Sequence, residues 1–150
     1  MPVPVPTVEI IPPGVANTYA GSQLTLTCSI VLDSTLFPAL GDLVVTGVWT
    51  RTGSVIPSSD GHITVSPLSQ QGITTTFSST VMFNTLRTSD EGTYTCEATV
   101  VPRGSTAGTV TNGVRSASRA IPAIQSMYVC YLHNVHICLA CYHMFCPWSC

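Results

Sequence analysis

The sequence predicts an all-β protein folded as a two-sheet sandwich or barrel, and three observations predict it. Short runs alternate apolar and polar residues with a period of two, the mark of a strand with one buried face. Turn formers separate these runs at short intervals. No stretch before residue 122 carries the 3.6-residue periodicity of an amphipathic helix.

The elements follow in chain order. Residues 1–6 are a Pro-rich lead-in, and "PVPVPTVEIIPPG" suits a stiff, extended connection between domains. In "SQLTLTCSI", Leu24, Leu26, Cys28 and Ile30 share one parity. Val44, Val48 and Trp49 supply the apolar positions of "DLVVTGVWTR", and Ile63 and Val65 those of "GHITVSP". Ile73, Phe77, Val81 and Phe83 share a parity in the next run, and Tyr94, Cys96, Ala98 and Val100 do so in "GTYTCEATVV". The stretch "TNGVRSASRAIP" alternates only weakly, so the end of a last strand is unmarked. Pro12-Pro13-Gly14, Gly41-Asp42, Gly53, Ser59-Asp60-Gly61, Gln71-Gly72 and Gly104 are the expected turns.

At 150 residues the chain holds one cored domain plus a tail. A formal charge of -2 with no Lys leaves no basic stripe to neutralise phosphates, which excludes nucleic acid as the partner class. All twenty-one Thr lie at or before Thr111, whereas five of the seven Cys and three of the four His lie from Cys130 onward. That break places the body at residues 7–121 and a Cys/His-rich tail at 122–150, outside the domain. "MPVPVPTVEI" lacks the basic and apolar regions of a secretory signal, so a secreted protein is expected to be a longer chain than this one.

Catalysis has little to work with. The body offers one His, no Lys, and carboxylates scattered over loops and strand ends, with no Ser-His-Asp set, metalloprotease helix motif or phosphate-cradling Gly loop. No catalytic residue, cofactor or metal site is expected. Cys28 and Cys96 share the buried parity of their strands, and Trp49 lies on a strand between them. This is a disulfide arrangement packed on the indole, the alternative being two buried free thiols in a reducing compartment.

"LRTSDEGTYTC", with Leu86, Asp90, Gly92, Tyr94 and Cys96, resembles the immunoglobulin superfamily signature L-x-x-x-D-x-G-x-Y-x-C. "GSQLTLTC" resembles that family's strand B, "VWTRTG" its strand C with the core Trp49, and Val81, Phe83 and Leu86 fit its strand E; the likeness covers about residues 5–121 and is closest to the variable and intermediate sets. The resemblance implies a Greek-key sandwich, with Tyr94 as the corner tyrosine bonding back to upstream backbone. In many members Asp90 pairs with an Arg at the start of strand D. Here His62 holds that place and Arg87 is a second candidate, a surface pair on which little stability would ride.

The resemblance further implies an extracellular or cell-surface module with a protein partner, either a homophilic copy, a neighbouring immunoglobulin-like domain or another protein. In this fold the connections at 31–43 and about 101–109 emerge at one end. Leu36, Phe37 and Arg103 are the candidate binding residues there, Arg103 being otherwise a solvated loop charge. Leu32, Leu36, Phe37 and Leu40 either fold over the sandwich end or form an exposed patch. A different function class, a spacer repeat of a tandem array, fits the Pro-rich lead-in.

The tail admits several readings. Cys138-x-x-Cys141 with His143 and Cys146 has the residue types of a metal site but almost no chain between the pairs to wrap an ion. Residues 120–150 carry no charge and are long enough to span a membrane, yet His133, Asn134, His136 and His143 interrupt the run, and Arg115 and Arg119 lie on the wrong side of it. A lipid-anchor signal would use Ser116-Ala117-Ser118 as its small site. Membrane association is therefore open through the tail or a longer parent chain. The composition fits best a translated non-coding or frame-shifted segment that does not join the core.

Overall fold

A computed structural model describes residues 4–15, 18–57, 61–105, 113–132 and 135–140, without the side chains of 36–39 and of those from 127 onward. Two antiparallel sheets face each other. In the first, β1 (Thr7–Ile11), β2 (Leu24–Val31) and β7 (Thr76–Phe83) lie in that order. Its far edge is a strand interrupted between β5 (Ile63–Val65) and β6 (Ser69–Gln70), both paired with β7. The second sheet runs β4 (Ser54–Val55), β3 (Leu43–Arg51), β8 (Gly92–Pro102), β9 (Val114–Ile121). The chain passes from sheet to sheet after β2, β4 and β7, which is Greek-key connectivity.

The alternation that marks the strands also sorts the core. Leu26, Cys28 and Ile30 from β2, Val81 and Phe83 from β7, and Tyr94, Cys96, Ala98 and Val100 from β8 are wholly buried between the sheets. Two positions differ from the expected parity. On β3 the inward residues are Val45, Gly47 and Trp49, while Val48 stands 42% exposed on the outer face; three Val in one short run conceal which face is buried. Ile73 is 86% exposed because the turn in which Gln71 N–H bonds Thr76 O delays β7 until Thr76. Of the expected turn at Ser59-Asp60-Gly61, the first two residues lie outside the described ones.

The N-terminal part of the chain binds both sheets. β1 pairs with β2, and Arg119 on β9 donates from Nη2 to Ile10 O at 3.0 Å, its Nε being buried with no partner among the described residues. Tyr19 then bridges in parallel to Gln125. Gln125 N–H bonds Thr18 O at 2.8 Å and Ala20 N–H bonds Gln125 O at 2.9 Å. Ile124 is 4% exposed inside the core, and its N–H bonds Glu91 Oε1 at 2.8 Å. The packed body therefore runs to Gln125, four residues beyond the limit expected at Ile121-Pro122.

β10 (Met127–Leu132) and β11 (Val135–Ala140) form a hairpin that is a sheet of its own and, among the described residues, pairs with neither larger sheet. Among the described residues no helix is long and apolar enough to cross a membrane. Ser116, Ala117 and Ser118 sit mid-strand in β9, opposite Glu97, Cys96 and Thr95, so a lipid-anchor cleavage there would remove Arg119, Ile121 and Ile124 from the packed body.

Removing residues 127–150 is expected to leave the melting temperature within about 2 °C of the full chain. Removing 123–150 deletes Ile124 and its bonds, and is expected to cost about 3 kcal/mol, roughly 10 °C. Thermal denaturation of both truncations checks this.

Candidate functional site

The signature residues run from the centre of the sandwich to its β7–β8 corner. Cys28 and Cys96 are bonded, their Cα atoms 6.2 Å apart and 68 residues apart in sequence. Trp49 lies directly beside Cys96 across the β3–β8 ladder, 3% exposed. Its indole N–H needs a partner once buried, and finds Ser79 Oγ at 3.1 Å; Ser79 in turn donates to Ser66 O at 2.8 Å. Ser79 occupies an inward position of β7, so the polar residue amid an apolar parity was the available signal for this partner.

At the β7–β8 junction a short 3-10 helix, Thr88–Asp90, leads into β8. Tyr94 O–H donates to Asp90 O at 2.8 Å, and the Tyr94 ring meets Phe83 edge-on, centroids 5.3 Å apart. Gly92 has φ 140, a conformation that side-chain-bearing residues rarely adopt, which accounts for glycine at this signature position. Arg51 braces the corner from β3: its guanidinium lies over the Tyr94 ring at 5.8 Å and donates to Glu91 O at 2.8 Å and to Ser89 O.

Asp90 is 1% exposed, which corrects the expectation of a surface pair. One carboxylate oxygen accepts the Arg87 backbone N–H at 2.7 Å; the other lies 2.8 Å from His62 Nε2. His62 thus takes the place that the resemblance gives to Arg. Arg87 contributes its main chain, and both ends of the carboxylate are used.

The opposite end of the sandwich carries the expected binding loops. The β2–β3 connection is a 3-10 helix, Ser34–Asp42, capped by Asp33, whose carboxylate accepts Thr35 N–H at 2.9 Å. That bond holds the Asp33 carboxyl below the usual carboxylate range. Leu32 folds inward at 1% exposure, its N–H bonded to Thr75 O at 2.9 Å, and Leu40 is half-buried. The Leu36 and Phe37 backbones lie in this helix, but their side chains, and residues 106–112 of the neighbouring connection, lie outside what is described.

Arg103 joins the two connections. Its backbone N–H bonds Asp42 O at 2.7 Å and its side-chain Nε donates to Gly41 O at 2.9 Å, while the residue stays exposed. Its charge is therefore tethered to the neighbouring connection while remaining open to solvent. Among the described residues no group of three or more His, Cys, Asp and Glu can hold a metal ion; Cys141, His143 and Cys146 lie outside them.

The model of the immunoglobulin domain family matches residues 16–110, more than half of the chain. A comparison with curated proteins found no match. Among solved structures, a three-immunoglobulin-domain titin structure, an E-to-A mutated variant, is similar at TM-score 0.53 and 16% identity, covering 85% of this chain and 34% of that one. The complex of Dpr2 Ig1-Ig2 with DIP-Theta Ig1-Ig3 is similar at TM-score 0.55 and 13% identity, covering 78% of this chain and 31% of that one. The chain spans about a third of each of these structures, and at such identities the likeness is one of fold.

Replacing Asp90 with Ala strands the buried Arg87 N–H and His62 together, and is expected to cost about 3 kcal/mol. Tyr94→Phe, which loses one buried bond, is expected to cost about 1 kcal/mol. Urea unfolding of the two variants checks the order and the sizes.

Proposed function

Because this chain belongs to the immunoglobulin domain family, we propose that it is an extracellular protein-recognition module that binds through the sandwich end carrying the β2–β3 and β8–β9 connections. The observation that supports this reading best is Arg103. Its two bonds, to Gly41 O and Asp42 O, draw two separate connections into one continuous surface. Such a surface on a rigid two-sheet scaffold is what recognition by loops requires. Exposed Asp33, Asp42 and Arg103 give it mixed charge, and Phe37 and Leu36 are its proposed apolar anchors.

The Cys28–Cys96 bond supports an oxidising compartment. A protein as partner is in keeping with the similar Dpr2–DIP-Theta structure, which is itself a complex of two proteins.

The chain, presented as a multimer to an array of secreted and cell-surface ectodomains, is expected to bind a protein on that array. Affinity for it should fall at least about tenfold in both Phe37→Ala and Arg103→Ala, with unfolding free energies within about 1 kcal/mol of the parent. Unchanged binding by both variants overturns the loop-end reading and leaves the spacer reading in its place.

A further inference from the structure

The four-stranded sheet stops short on one side. β4 covers β3 only at Thr50 and Arg51, with Ile56 N–H reaching Trp49 O at 3.1 Å. Backbone groups of successive residues point to alternate sides of a strand. Since those of Trp49 face β4, those of Gly47 and Val45 do too. The even-numbered residues face β8, in phase with the bond from Thr52 N–H to Thr93 O. Among the described residues nothing pairs with Val45 or Gly47 on the β4 side, because β3 from Leu43 to Val48 pairs with β8 alone. Among the described residues, half of a central strand has a bare edge.

Beside that edge, between the two sheets, opens a cleft of about 340 Å³ lined by Gly47, Trp49, Ile56, Val65 and Leu68, with Val48 and Val55 on its rim. No charged side chain lines it, and Val48 and Val55 are 42% and 68% exposed. Its hydroxyls are already engaged: Ser79 Oγ accepts the Trp49 indole N–H and donates to Ser66 O, and Ser66 Oγ accepts Thr80 N–H. A Cβ at position 47 would stand 3.3 Å from Leu68 Cδ1 and 3.4 Å from Ile30 Cδ1, so the missing side chain of Gly47 keeps the mouth of the cleft open.

Edge and cleft together select the occupant. Unpaired N–H and C=O groups in a row call for another main chain, and an uncharged cleft with its hydroxyls engaged calls for an aliphatic side chain. A helix has no free backbone groups to offer the edge, and a small apolar molecule would leave the edge unpaired. We propose that the free edge of β3 is a strand-addition site. It takes an extended, uncharged peptide segment of another protein, whose backbone bonds Val45 and Gly47 and one of whose aliphatic side chains enters the cleft. This surface is separate from the loop end and does not rest on its role.

The test titrates the ¹⁵N-labelled full chain with the peptide acetyl-Thr-Val-Thr-Leu-Thr-Val-Thr-amide. Two controls accompany it, one with Asp for the central Leu and one N-methylated at alternate residues. The amide signals of Val45 and Gly47 should shift and gain protection from exchange, and both controls should bind at least about tenfold more weakly. Gly47→Val, which fills the mouth, and Leu68→Ser, which strips one wall, should each weaken the parent peptide by a similar factor while circular dichroism stays that of the parent chain. Absence of shifts at Val45 and Gly47 at millimolar peptide, or equal binding by the N-methylated control, overturns the proposal. Either result leaves the array experiment on the loop end unaffected.

Discussion

Cys28 and Cys96 meet across the space between the sheets, and the rest of the architecture is arranged around that contact. One cysteine comes from the middle of β2 and the other from the middle of β8, so the bond ties the centre of one sheet to the centre of the other. Closing a loop of 68 residues removes enough freedom from the unfolded chain to be worth about 4 kcal/mol. Trp49 covers the bond from the neighbouring strand. Its burial is possible because Ser79, on the facing sheet, takes the indole N–H, so a hydrogen bond spans the sheets beside the covalent link. The Asp90–Tyr94 corner then fixes how the chain turns from β7 into β8 and sets where Cys96 arrives.

Much of this was legible in the sequence because its causes are local. Leu26, Cys28 and Ile30, or Tyr94, Cys96 and Ala98, announce a half-buried strand by alternation alone, and the resemblance of Asp90, Gly92, Tyr94 and Cys96 to the family signature implies the corner. What escaped depends on partners distant in the chain. Val45 and Val48 are chemically alike, and only the facing sheet decides which is buried. Ser79 interrupts the apolar parity of its strand, but that it serves the indole of Trp49 depends on the facing sheet. Asp90 reads as half of a surface pair with His62 or Arg87, and its burial shows only in the fold. Ile124 lies two residues after Pro122 in a composition unlike the body, yet the parallel contact between Tyr19 and Gln125 holds it in the core.

At the candidate site, sequence placed the two connections at one end by resemblance, but not the device that joins them. Arg103 bonds to carbonyl oxygens of Gly41 and Asp42, and backbone acceptors leave no trace in residue identity. The bare edge of β3 is hidden for a similar reason. A two-residue β4 appears in sequence as the absence of a run, and its effect, unpaired main chain beside an apolar cleft, needs the register of three strands to become visible. The proposed loop-end and sheet-edge surfaces are thus held on one cross-linked core.

The dependence of that core on its cross-link is measured by urea unfolding of the full chain against a variant in which Cys28 and Cys96 are both Ala. The expected result is a loss of about 4 kcal/mol or more, with the near-ultraviolet signal of Trp49 weakened in the variant. A loss below about 1 kcal/mol, with that signal unchanged, would contradict the claim that the bond between the sheets organises the fold.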